Sequence, residues 1–133
     1  MLTQTAAHWV MRGVLDGLHR AGYAGISEAH LALLGNLDCG TTKSAAIGQR
    51  MGISRQAIYR TVREMQALGL LRLEEDPERG NQKLVVMTAD GEKLALRARA
   101  ILAGLEQSLC RRIGADRYAQ FRAALEAEWG PAE

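Results

Sequence analysis

Apolar residues recur near helical spacing from Thr3 to about Ala21, with Trp9 or Val10, Val14 and Leu18 along one face. Gly22 and Gly25 end that run. Ser27 is placed to cap a second helix carrying Leu31, Leu33, Leu34 and Leu37, which the loop Asp38–Cys39–Gly40 stops. Thr41 or Thr42 is expected to cap a short third helix with Ala45, Ala46, Ile47 and Met51 turned inward. Gly52 supplies a turn, Ser54 caps a fourth helix, and that helix runs to Leu68 before Gly69.

Beyond Gly69 the period changes from helical to alternating. Leu71, Leu73 and Glu75 share one face of a strand, and Arg72 and Glu74 the other. Asp76–Pro77–Glu78–Arg79–Gly80–Asn81 is turn chemistry, and Leu84–Val85–Val86–Met87 completes a two-stranded hairpin. Thr88 caps a long helix from Ala89 to about Cys110. A last helix carries Tyr118, Phe121, Leu125 and Trp129 as one apolar stripe. The expectation is a mainly α fold: a winged helix-turn-helix with a two-stranded β wing, between N- and C-terminal helices.

The chain has 133 residues, 47% apolar and 24% charged, which fits one globular domain. We expect the lobe 27–88 to be flanked by 1–26 and 89–133. The longest run without Asp, Glu, Lys or Arg, Met1 to Met11, is too short to span a bilayer and lacks the basic start of a secretory signal. Cys39 and Cys110 offer neither a framework of bridges nor metal-ligand spacing. A cytoplasmic protein without membrane contact is expected.

Charge is distributed unevenly. Lys43, Arg50, Arg55, Arg60 and Arg63 fall in a stretch with no acid, followed by Glu64, Glu74, Glu75, Asp76 and Glu78 against Arg72 alone. Such asymmetry suits a surface that meets a polyanion with one face. On the fourth helix the division is sharp. At about 100° per residue, Arg55, Gln56, Tyr59, Arg60 and Arg63 occupy one arc of about 140°. Ala57, Ile58, Thr61, Val62, Met65 and Leu68 occupy the opposite side.

Those outward side chains suit duplex DNA. Arginine binds guanine O6 and N7 with two hydrogen bonds, and glutamine does the same to adenine. Ser54 and the free N–H groups at the helix start suit a phosphate, as does Lys43 beside Thr42 at the entry to the helix-turn-helix. Arg55 and Arg63 fit either base or phosphate contacts, so base reading is assigned first to Gln56 and Arg60. An ordinary solvated amphipathic helix would also turn its arginines outward. The glycine turn and the hairpin that follows favour DNA.

From about Ala29 to Gly91 the chain resembles the MarR-type winged-helix transcriptional regulators. The matching residues are Ala45–Ala46–Ile47–Gly48–Gln49–Arg50–Met51–Gly52–Ile53–Ser54, then Leu68–Gly69–Leu70–Leu71, Asp76–Pro77, and Thr88–Ala89–Asp90–Gly91. The resemblance implies a homodimer built by the terminal helices, binding a pseudo-palindromic double-stranded DNA operator and usually repressing transcription. The family's wing runs Asp-Pro-x-Asp-x-Arg, whereas this one reads Asp76–Pro77–Glu78–Arg79–Gly80–Asn81–Gln82–Lys83. Arg79 and Lys83 are therefore both candidates for the wing contact. The resemblance also implies a small aromatic or phenolic effector between the dimerising helices and the DNA-binding lobe, with His8, Trp9, Arg12 and His30 as candidate lining. The plainer alternative packs Trp9 in a dimer core and leaves Arg12 solvated.

Other signals are weaker. His8, His19 and His30 recur every eleven residues, but on one helix that spacing spans about 16 Å, too far for one metal ion. No metal or cofactor is expected. Cys39 and Cys110 read as buried or idle thiols. No phosphate loop, catalytic triad or framed carboxylate pair is present, so an enzyme is not expected. The competing class is a winged-helix protein-interaction module without DNA binding, favoured by the acids near the wing base.

Overall fold

A computed structural model describes residues 1–37 and 41–130, with Thr41–Ala45 described through the backbone only. The element order is α1 (Leu2–Arg20), α2 (Glu28–Gly35), β1 (Thr41–Lys43), α3 (Ser44–Met51), α4 (Arg55–Ala67), β2 (Leu71–Glu75), β3 (Lys83–Met87), α5 (Ala89–Ile113) and α6 (Ala115–Glu126). The expected loop Asp38–Cys39–Gly40 falls outside the described residues.

The starts of α2, α4 and α5 follow from side-chain caps. Ser27 Oγ accepts from the His30 N–H, Ser54 Oγ from the Ala57 N–H, and Thr88 Oγ1 from the Gly91 N–H. Each satisfies a backbone donor that the first turn of a helix would otherwise leave unpaired. One expected cap is replaced. Thr41 and Thr42 do not open α3; they belong to a short strand that pairs antiparallel with β3, Thr42 opposite Val85. The sheet therefore has three strands in the order β1-β3-β2, the hairpin plus one added edge. Three residues of Thr-Thr-Lys are too few and too polar to show alternation, so only the exposed edge of β3 defines them as strand.

The core sits where α1, α2, α3, α4 and α5 meet the sheet. Leu18, Leu33, Ile47, Met65 and Leu94 are completely buried there. Between α3 and α4, Gly52 has φ +61°, a left-handed conformation that costs glycine little and lets the two helices turn against each other. At the start of α5, a Cβ added to Gly91 would lie 2.1 Å from the Leu70 carbonyl oxygen, so only glycine admits this crossing. Arg50 Nη1 donates to the Asn36 carbonyl at 3.1 Å, tying the end of α3 to the end of α2.

Two apolar expectations change at element ends. Leu68, placed by the helical wheel on the buried side, is 46% exposed, because α4 ends at Ala67 and Leu68 is already its cap. The last stripe is helical only through Leu125. α6 ends at Glu126, Ala127 is extended, and Trp129 turns back to donate its indole N–H to the Ala124 carbonyl at 2.6 Å.

Candidate nucleic-acid interface

α4 is an amphipathic helix held from behind. Ile58, Thr61, Val62 and Met65 are buried in the core, and Thr61 returns its hydroxyl to the Ala57 carbonyl at 3.0 Å. Arg55, Gln56, Tyr59, Arg60 and Arg63 are exposed on the other side. Gln56, Tyr59, Arg60 and Arg63 line one shallow surface hollow, which Glu64 shares. Arg55, Arg60 and Arg63 make no ion pair among the described residues. Their guanidiniums are therefore available to a polyanion. Ser54 is exposed at the N-terminus, and its hydroxyl keeps a proton to donate while its oxygen caps the helix. Thr42 and Lys43 lie in β1, and their side chains are outside what is described.

The two wing cations differ in their surroundings. Lys83 stands directly across the hairpin from Glu75, and its ammonium meets that carboxylate at 3.2 Å. Glu74 accepts from Arg72 Nε at 2.7 Å. The buried Asp76 accepts the Glu78 backbone N–H through Oδ1 at 2.9 Å, and its own N–H donates to the Gln82 carbonyl at 3.0 Å, closing the loop. Arg79 is exposed at the tip, with its backbone N–H bonded to the Asp76 carbonyl. Lys83 is thus paired with Glu75, and Arg79 is the more exposed of the two.

Residues 24–80 match the family model described as the MarR family. The match runs from the turn before α2 to the loop after β2. Beyond the segment, the whole chain has the fold of MarR regulators. A MarR-family regulator from Rhodococcus sp. RHA1 superposes with a TM-score of 0.74 at 21% identity, covering 94% of this chain and 87% of that one. A variant of the Staphylococcus aureus regulator MepR, bound to an oligodeoxyribonucleotide, gives a TM-score of 0.64 at 18% identity over 93% and 90% of the two chains. PcaV from Streptomyces coelicolor, in complex with its natural ligand, gives 0.58 at 26% identity over 84% and 89%. No curated protein matches the sequence.

The terminal helices α1, α5 and α6 flank the helix-turn-helix lobe and help to enclose two apolar hollows. One, of about 560 Å³, lies between α1, α5 and α6 and takes in Trp9, Leu105, Phe121, Leu125 and Trp129. The other, also about 560 Å³, lies between α1, α2 and α5; Met11, Leu31, Leu34 and Met87 wall it, with Arg99 as the single charged residue among its described lining. The residues nominated for an effector are not gathered in either. Trp9 lines the first hollow, while His8 and Arg12 are exposed on α1 and line neither. His30 is buried on α2, where Nδ1 accepts from the Ser27 N–H at 3.1 Å and Nε2 meets Glu64 Oε2 at 2.8 Å. His19 is engaged separately, Nε2 donating to the Ile26 carbonyl at 2.8 Å. Sequence reading missed the second hollow because its lining comes from four separate elements, each contributing ordinary core residues. Among the described residues, no helix is long and apolar enough to cross a membrane.

Proposed function

We propose that the protein is a sequence-specific regulator of transcription that binds double-stranded DNA as a homodimer on a pseudo-palindromic operator, acting in the cytoplasm as a repressor. The observation that carries this reading is the exposed face of α4, where Arg55, Gln56, Arg60 and Arg63 stand together with no ion pair among the described residues. Gln56 and Arg60 read bases. Ser54, Arg55, Arg63, Thr42 and Lys43 hold phosphates, and Arg79 reaches from the wing while Tyr59 packs against the groove wall. The oligonucleotide-bound relative of the same fold supports the assignment. The acids at the wing base do not oppose it, because Glu74 and Glu75 are paired with Arg72 and Lys83.

The second copy would cover the apolar hollow of α1, α5 and α6, whose aromatic and aliphatic lining is otherwise open to water. Release by a small aromatic acid fits the hollow walled by Met11 and Leu31, an apolar chamber of ligand size with Arg99 to meet one carboxylate. The direct test is selection of bound sequences from random duplex DNA. An inverted repeat with half-sites about 34 Å apart is the expected product, one helical turn between major grooves. Recovery of no preferred sequence, with binding that disappears uniformly in moderate salt, would refute the reading.

A further inference from the structure

The contact between His30 and Glu64 joins the buried side of α2 to the working side of α4. His30 occupies the third position of α2, where the capping box usually places Glu or Gln. Its Nδ1 receives the Ser27 backbone N–H, an obligate donor, so that nitrogen must keep its lone pair. The ring proton is therefore on Nε2, which donates to Glu64 Oε2 at 2.8 Å. Two local requirements thus fix the tautomer, and the imidazole side chain is only 6% exposed, so it has little freedom to let go.

Glu64 is half in solvent and lines the same hollow as Arg60 and Arg63. It stands one helical turn after Arg60, the spacing at which opposite charges on a helix pair. Yet Arg60 makes no ion pair among the described residues, and the carboxylate is bonded to His30 instead. We infer that His30 is a positioning residue: it holds the Glu64 carboxylate against α2 and so keeps the Arg60 guanidinium free to bind DNA. This rests on the DNA-reading role proposed above, and adds a restraint supplied from outside the recognition helix.

The test separates restraint from simple capping. In the DNA-free protein, NMR of the Arg60 guanidinium should show fast rotation in the wild type and slowed rotation in His30→Ala, where the freed carboxylate captures it. Rotation should be fast again in His30→Ala/Glu64→Gln, which has no charge to capture it. On the duplex selected by the wild type, His30→Ala should lose about tenfold of its discrimination at the base pair that Arg60 reads, and the double variant should recover it. If His30→Ala does not fold, Glu64→Asp serves, since it keeps the charge within reach of Arg60 but withdraws it from His30. Fast rotation in both His30→Ala and Glu64→Asp would overturn the inference. So would a loss of discrimination that persists in the double variant, because capping alone would then explain it. If the wild type selects no symmetric duplex while the rotation pattern holds, the DNA reading fails and the restraint on Arg60 stands.

Discussion

The lobe from α2 to β3 and the terminal helix α6 both carry apolar faces but end in opposite states. In the lobe, Leu33, Ile47, Val62, Met65 and Val85 are each no more than 1% exposed, closed off by neighbours of the same chain. α6 has no buried residue, and Phe121, Leu125 and the following Trp129 are 40%, 51% and 64% exposed. Helix periodicity gives both regions an apolar face but is silent on what covers it. The lobe covers its own; α6 leaves its face open. On the proposed function, that difference separates the part that recognises DNA from the part that pairs two copies.

The largest expected effect lies in α6. Phe121→Asp with Leu125→Asp should leave the lobe folded, because α6 contributes nothing to its core, yet convert the protein to a monomer by light scattering. Binding to a symmetric duplex should then weaken by about 10²–10⁴-fold, since the second half-site no longer adds its effective concentration. A monomer that binds the full site as tightly as the wild type would remove the need for a second copy.

Next comes the lobe. Met65→Ala opens a cavity behind α4 and should cost about 2–5 kcal/mol in urea unfolding. The loss should appear equally at low and high protein concentration, whereas the α6 variant's melting should lose its concentration dependence. If Met65→Ala changed only the dimer equilibrium, the two regions would not be separable as described.

The smallest effect is at the wing. Arg79→Ala should weaken all duplexes alike and reduce the salt slope by about one phosphate contact, while Lys83→Ala should do less because Lys83 already holds Glu75. A larger effect at Lys83 than at Arg79 would show that the crossed pair opens on DNA.

These expectations also mark how far the sequence could be read. Ser27, Ser54 and Thr88 were legible as caps because each needs only the next three residues. The two faces of α4 were legible because one helix carries the whole pattern. What was not legible depends on distant partners. β1 exists because β3 offers an edge, and His30 matters because Glu64 lies 34 residues later. Trp129 follows the stripe spacing but reaches its place by a reversal after Glu126 that helical geometry does not contain. The pairing of Lys83 with Glu75 depends on a strand register that the sequence alone does not show.

The central claim is that the exposed face of α4 reads base sequence, and Arg60 tests it most directly. Competition binding of the wild type and Arg60→Ala should be compared at fixed salt, across a panel of single-base variants of the selected duplex. The account predicts a loss of about 1–3 kcal/mol per half-site, with preference relaxed at one base pair and kept at the others. A uniform loss across the panel, with every base preference intact, would contradict it and make Arg60 a phosphate contact.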